Sequence, residues 1–221
     1  MPYRKLIFGD NEIYHIVNRG VAQAPIFSVD SDYKRFVELL DYYRFSAPIS
    51  FSHFDRLSKE QKTKLISALK LTQPLAEIHS FCLMPNHFHL LLKQIKENGI
   101  KNMLSNLQNS YVKYYNTKLK RVGPLFQSVF KAIRVESDEQ LLHCSRYIHL
   151  NPSSSFLKKI EDLLSYPWSS LSTYIGNEKL DFIQKDLILG LIKNSTKYRE
   201  FIFDQAKFQR ELNLIKHLLL E

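Results

Sequence analysis

Two histidines that could bind a divalent metal lie in the segment CLMPNHFHLLL, residues 82–92. His87 and His89 are two positions apart, and the apolar residues around them predict a β-strand. Successive side chains of a strand point to opposite faces, so both imidazoles are expected on one face and Phe88 on the other. Two imidazole nitrogens on one face can bind a divalent metal. Taken alone, the pair is better explained by two half-exposed histidines on a sheet, or by one histidine whose polar atoms are satisfied in the core.

A tyrosine and an asparagine in the segment CSRYIHLNP are further candidates for chemistry. Tyr147 and Asn151 are four positions apart, which places them one turn apart on one face of a helix. A tyrosine phenolate is a nucleophile when a nearby cation lowers its pKa, and an Asn carbonyl oxygen can ligate a metal. The alternatives are an ordinary aromatic of an amphipathic helix for Tyr147 and a helix C-cap before Pro152 for Asn151.

Strand and helix patterns alternate along the chain and would position these residues. Strands are predicted at residues 12–20, 75–84, 87–94 and 125–136. Pro85-Asn86 is predicted as a tight turn between the second and third strands. Helices are predicted at residues 31–45 and 99–121, and after Ser137 up to a stop at Asn151-Pro152. This order predicts an α+β fold with a ferredoxin-like or RRM-like antiparallel sheet of four to five strands and helices packed on it.

Two segments fall outside this repeating order. Residues 47–74 are predicted as an insertion that contains a helix with Ser58 as its N-cap. We therefore expect a catalytic domain in residues 1–152, with the insertion inside it. Residues 153–221 are expected to form a helical C-terminal extension that packs on the core and could bind DNA.

The composition indicates a basic globular protein. Its 221 residues contain 31 Lys and Arg against 22 Asp and Glu, a net charge of +9 that favours a polyanionic partner. A generic basic protein would have the same charge. The chain has long predicted helices and only six Gly, which argues against an all-β metalloenzyme barrel. It contains neither the apolar stretch of a signal peptide nor an apolar run of membrane-spanning length, so we expect a cytoplasmic location and no membrane partner.

Five segments occur in an order that resembles the REP-associated tyrosine transposases of the HUH single-tyrosine superfamily, in which U is an apolar residue. They are EIYHIVNRG, CLMPNHFHLLL, PLFQSVFKAIRVES, RYIHLNP and YPWSS. The resemblance covers roughly residues 12–175 apart from the insertion. The chain departs from the family pattern in its longer insertion, in the lack of a Gly-Arg pair near Ser128-Val129, and beyond Gly176.

The resemblance implies a site and a reaction. His87, His89 and Asn151 would hold Mg²⁺ or Mn²⁺, and Tyr147 would be the catalytic nucleophile, on a helix that crosses a sheet with the HUH strand near its centre. The protein would be a metal-dependent single-stranded DNA endonuclease and strand transferase, a transposase that acts on hairpins of palindromic repeats through a 5′-phosphotyrosine. The alternative is a domesticated protein that binds DNA hairpins without cleaving them. Either a monomer or a homodimer is compatible with this family.

Basic residues near the predicted site are candidate DNA contacts, because phosphate neutralisation contributes much of the affinity for nucleic acid. They are Arg4, Lys5, Arg19, Lys113, Lys118, Lys120, Arg121, Lys131, Arg134 and Arg146. Tyr111, Tyr114 and Tyr115 could stack on unpaired bases, or they could face the core.

Overall fold

In the part of the chain that the structure describes, four antiparallel strands form the sheet that carries the two histidines. The computed structural model of the protein describes residues 7–176 and 178–204. The strands are β1 (Ile13–Arg19), β2 (Ala76–Met84), β3 (His87–Gln94) and β4 (Lys131–Val135). Their order across the sheet is β2-β3-β1-β4. The strand with His87 and His89 is therefore an interior strand, and only the predicted turn Pro85-Asn86 separates it from β2.

The helices between and after the strands follow the predicted order. They are α1 (Asp30–Tyr43), α2 (Phe51–Asp55), α3 (Lys59–Lys70), α4 (Gly99–Lys118), α5 (Asp138–Ser154), α6 (Leu171–Tyr174), α7 (Asp186–Ile192) and α8 (Ser195–Asp204). The elements β1, α1, β2, β3, α4 and β4 have the β-α-β-β-α-β order of the ferredoxin-like plan. The predicted α+β fold class is confirmed. No helix in the described ranges combines the length and the apolarity needed to cross a membrane.

The two faces of the sheet contact different helices, because side chains alternate along each strand. On one face Phe88 lies 5.1 Å from Phe36 of α1, and Phe36 lies 5.1 Å from Tyr111 of α4, measured between ring centroids. Burial of each such large apolar side chain contributes about 1.5–3 kcal/mol. On the opposite face, which carries His87 and His89 and is called the histidine face below, α5 lies across the sheet.

The helix α5 continues past the predicted stop at Asn151-Pro152 and ends at Ser154. Pro152 has no N–H to donate, which removes one helical hydrogen bond. The helix resumes its pattern after it, since the backbone N–H of Ser155 donates to the carbonyl of Asn151 at 3.0 Å. Pro152 and Ser153 are buried. Tertiary packing therefore extends the helix beyond the point where local propensity would end it.

The last predicted strand, residues 125–136, is shorter in the structure because only Lys131–Val135 pairs with β1. Leu125 and Phe126 are both buried, which breaks the alternation that a strand requires. The carbonyl of Leu125 instead accepts a hydrogen bond from the backbone N–H of Val21, in the loop after β1, at 3.0 Å. The segment before β4 is therefore a loop that packs inward.

The insertion forms α2 and α3 and packs on α1, away from the histidine face. Ser58 caps α3 as predicted, since its side chain accepts from the backbone N–H of Gln61 at 3.2 Å. In α2, Phe54 lies 4.9 Å from Tyr42 of α1 between ring centroids. Because α1 covers the sheet face opposite α5, the insertion lies far from the two histidines.

Residues that follow α5 cover the outer edge of β2. The Tyr166 hydroxyl donates to the carbonyl of Leu83 at 2.5 Å, and the backbone N–H of Ser170 donates to the carbonyl of Phe81 at 3.0 Å. These bonds satisfy backbone groups that an exposed edge strand would leave unpaired. The predicted domain boundary after residue 152 lies within α5, and residues 205–221 of the predicted extension lie outside the described residues. The division into two domains stays a prediction.

A buried polar network connects α5 to α8 and also reaches β2, where the Ser145 hydroxyl lies 3.2 Å from that of Ser80. His149 Nδ1 lies 2.7 Å from the hydroxyl of Tyr198 in α8, and its Nε2 lies 2.7 Å from the hydroxyl of Ser170. The Tyr198 hydroxyl also bonds to that of Ser145. Burial lowers the pKa of His149 to about 3, so its ring is neutral, with one nitrogen donating and the other accepting. The network holds α5 in place against β2 and α8.

Candidate active site

His87 and His89 lie side by side on the histidine face, with ring centroids 5.0 Å apart. The Nδ1 of His87 is 2.6 Å from the carboxamide oxygen of Asn86, and the amide nitrogen of Asn86 donates to the carbonyl of Gln23 at 3.2 Å. This arrangement makes Nδ1 of His87 the donor, because the Asn86 oxygen can only accept. The Nε2 atom of His87 is then the one with a free lone pair, which is the state a metal requires.

Tyr147 of α5 lies directly against the histidine pair of its own chain. Its ring centroid is 5.5 Å from that of His89, and the side chain is 39% exposed, so a large substrate can reach it. Asn151 lies one turn later and is buried, and its amide nitrogen donates to the backbone carbonyl of Tyr147 at 2.9 Å. The carboxamide oxygen is the atom of Asn151 that could coordinate a metal. The structure thus brings His87, His89 and Tyr147 together, with Asn151 on the same helix.

Burial determines the protonation of the site at neutral pH. It lowers the pKa of His87 to about 4, with a further contribution from the charge of Arg19, and it lowers the pKa of His89 well below its usual value. Both imidazoles are therefore neutral, as metal ligands must be. Burial raises the pKa of Tyr147, while Asn151 and the charge of Arg19 oppose the increase. The phenol is protonated in the absence of a further cation.

His15 of β1 is a member of the cluster that sequence reasoning missed. Its Nε2 lies 2.9 Å from Nδ1 of His89, and the two rings are only 20° from parallel, which fits an in-plane hydrogen bond. Its ring centroid is also 5.8 Å from that of Tyr147. The alternation of β1 could have indicated that His15 and Val17 share a face. Only the register, in which Val17 pairs with His89, places His15 beside His89.

The candidate ligands, two imidazole nitrogens and a carboxamide oxygen, fit a divalent metal that accepts both nitrogen and oxygen ligands. Among the described residues, no three His, Cys, Asp or Glu side chains form a group that could hold a metal ion. A third protein ligand would therefore have to be a different group, and the carboxamide oxygen of Asn151 is the candidate. Two neutral imidazoles with an oxygen donor suit Mn²⁺ at least as well as Mg²⁺, which prefers oxygen ligands.

The predicted DNA contacts differ widely in their surroundings. Arg19 pairs with His87 in the register of β1 and β3, and Lys131 pairs with Val17 in that of β1 and β4, so both lie on the histidine face. Lys113 and Lys120 are exposed, on α4 and just after it. Arg4 and Lys5 lie outside the described residues.

Four of the predicted contacts, Lys118, Arg121, Arg134 and Arg146, have partners within the protein. Lys118 is 2.5 Å from the buried carboxylate of Asp32, and Arg134 is 2.7 Å from the carboxylate of Glu12. Arg121 donates to the side chain of Asn116 at 3.0 Å.

Arg146 is 5% exposed beneath Phe201 of α8, 4.1 Å from the ring centroid, so it is not on the surface as a DNA contact requires. Of the three tyrosines of α4, Tyr111 and Tyr115 are buried and cannot stack on bases, and the Tyr114 hydroxyl donates to Asp32 at 3.0 Å.

Comparisons with known proteins find similarity to transposases. Residues 53–151, which include both β3 histidines, Tyr147 and Asn151, match the family model described as "Transposase IS200 like". A solved structure of the REP-associated tyrosine transposase bound to a REP hairpin is similar, with a TM-score of 0.50 and 13% identity over 82% of this chain and 94% of that chain. At this identity the likeness concerns the fold. No curated protein matches the chain. Residues 53–151, less than half of the 221-residue chain, thus resemble the IS200-like transposases.

Proposed function

We propose that this protein is a metal-dependent single-stranded DNA endonuclease and strand transferase that acts on DNA hairpins through a 5′-phosphotyrosine. The observation that carries the proposal is the position of Tyr147, whose ring is 5.5 Å from that of His89 within one chain. The match of residues 53–151 to a transposase family model supports DNA as the substrate. The similar solved transposase is bound to a REP hairpin, which supports a hairpin as the form of that DNA.

His87, His89 and Asn151 are the residues that would hold Mg²⁺ or Mn²⁺. A divalent metal in this position would polarise a scissile phosphate and neutralise its charge. Asn86 orients the ring of His87, and His15 orients the ring of His89, each through the Nδ1 atom. With Nδ1 of His89 as the donor to His15, both Nε2 atoms are available to the metal.

Tyr147 supplies the nucleophile in this proposal. Its phenolic oxygen loses its proton to solvent and attacks phosphorus, and the bond from phosphorus to the 3′ oxygen breaks. The 3′ oxygen takes up a proton from solvent and leaves as a 3′-hydroxyl. Arg19, whose charge lowers the pKa of Tyr147, favours the phenolate. The new bond to the 5′-phosphate retains the energy of the phosphodiester, so a second 3′-hydroxyl can reverse the step and join two strands.

Replacement of His15 by Ala is expected to weaken Mn²⁺ binding by about 10–100-fold, because His89 loses the partner that fixes its ring. His15→Gln should recover much of that affinity, since its side-chain oxygen can accept from Nδ1–H of His89. Calorimetric titration of the DNA-free protein with Mn²⁺ measures both variants. Equal affinities of wild type and His15→Ala would show that His15 does not position the ligand.

The proposed function is tested by incubating the protein with a labelled DNA hairpin that carries unpaired flanks, in Mn²⁺ or in EDTA. We expect an adduct that survives SDS in Mn²⁺ and none in EDTA. A salt-sensitive complex without a covalent product in Mn²⁺ or Mg²⁺ would contradict the proposal and support the non-cleaving hairpin-binding protein instead.

A further inference from the structure

A groove of about 650 Å³ lies between β4 and the first turns of α5, and it begins at His15. Ile133 of β4 forms its floor and pairs with His15 in the register of β1 and β4, so the two side chains share the histidine face. Gln140 and His143 of α5 form its wall. His143 lies one turn before Tyr147 on the same side of the helix. The end of the groove at His15 is therefore beside Tyr147, whose ring centroid is 5.8 Å from that of His15.

The floor of the groove is apolar and open to a ligand. Ile133 is 65% exposed, which is unusual for a large aliphatic side chain in the middle of a strand. The volume lies in the range of sites that hold one small organic group, and it is bounded by one strand and one helix. Such a space admits a single nucleotide, whose base can lie against an apolar surface, and excludes a duplex.

The wall of the groove presents His143, whose tautomer can be assigned from its contact with Arg146. The Nη2 of Arg146 is 2.6 Å from Nδ1 of His143, and a guanidinium can only donate. Nδ1 therefore accepts, and the neutral ring carries its proton on Nε2. The carboxylate of Glu139 is 3.8 Å from that Nε2, beyond hydrogen-bond length, and the side chain of His143 is 51% exposed. Arg146, buried under Phe201, thus orients a donor that faces solvent.

On the basis of the proposed function, we propose that this groove is a subsite for one unpaired nucleotide next to the scissile phosphate. The base lies on Ile133, and the Nε2–H of His143 donates to an acceptor of that nucleotide. The strand joined to Tyr147 must continue along the histidine face, and the groove begins there. This assigns Arg146 a role as a positioning residue for DNA, although it is too buried to contact DNA itself.

Binding in EDTA tests the subsite separately from cleavage. The probes are a fluorescent hairpin with unpaired flanks on both ends and the same hairpin without flanks, titrated by anisotropy with the full chain. We expect Ile133→Ala to weaken binding of the flanked hairpin by about tenfold, as loss of a base contact does, and to leave the blunt hairpin unchanged. Leu71→Ala is the matched control, since Leu71 is 90% exposed just after α3 of the insertion. It should change neither affinity.

Three results would overturn the subsite: equal binding of both hairpins by wild type, no loss on the flanked hairpin in Ile133→Ala, or an equal loss on both hairpins. A second variant, His143→Ala, should also weaken binding of the flanked hairpin and leave binding of the blunt hairpin unchanged. Arg146→Lys should have the same effect, because the guanidinium orients the ring of His143. If wild type forms no covalent adduct yet binds the flanked hairpin through Ile133, the proposed chemistry fails and the subsite stands. If wild type forms the adduct and Ile133→Ala binds the flanked hairpin as tightly as wild type does, only the subsite fails.

Discussion

Tyr147→Phe is expected to abolish the covalent protein–DNA product and to reduce hairpin cleavage by at least about a thousandfold. The substitution removes the phenolic oxygen and keeps the ring, which is 5.5 Å from His89 and 5.8 Å from His15 between centroids. The hydroxyl belongs to a side chain that is 39% exposed, so its loss should cost little stability. Hairpin affinity in EDTA should therefore stay close to that of wild type.

Denaturing gels of labelled hairpin incubated in Mn²⁺ measure this effect. Tyr114→Phe is the matched control, because Tyr114 lies on α4, on the opposite face of the sheet, and its hydroxyl donates to Asp32. It should yield as much adduct as wild type. An adduct of wild-type yield from Tyr147→Phe would mean that another residue is the nucleophile.

His87→Ala is expected to remove most Mn²⁺ binding and to reduce cleavage by at least about a thousandfold, while hairpin binding in EDTA is largely kept. The substitution deletes the imidazole whose Nε2 is left free by the bond from Nδ1 to Asn86. His87 is only half-buried, so the fold should tolerate its loss.

Calorimetry with Mn²⁺, the adduct assay and hairpin binding in EDTA separate these effects. His53→Ala serves as the control, since His53 is an exposed histidine of α2 in the insertion and should affect none of the three. Cleavage at the wild-type rate by His87→Ala would exclude His87 as a metal ligand. Loss of hairpin binding together with metal binding would point to a role in DNA contact instead.

Local patterns predicted those parts of the site that one element determines. Strand alternation placed His87 and His89 on one face, and helical spacing placed Tyr147 and Asn151 one turn apart. His15 could not be found in this way, since its contact depends on the register between β1 and β3, which are separated by more than sixty residues of chain. The same limit explains Pro152, where packing carries α5 beyond a residue that normally ends a helix.

Charge alone did not reveal which basic residues have partners within the protein, because it says nothing about tertiary contacts. Lys118 is held by Asp32, a carboxylate with no exposed surface, and the two come from helices far apart in sequence. Arg146 lies under Phe201 only because α8 docks on α5. Neither pairing follows from the composition or from the local pattern around the residue.

The helix α5 is held on two sides by other elements, and this restricts how two copies of the chain could exchange it. One side presents Tyr147 to the sheet, and the other holds His149 and Ser145 in buried bonds to Tyr198. A subunit that lent its tyrosine helix to a neighbour would have to lend α8 with it, or leave several polar groups buried without partners. Exchange of this helix alone would therefore be costly, and any exchange that occurred would have to move both helices as one block.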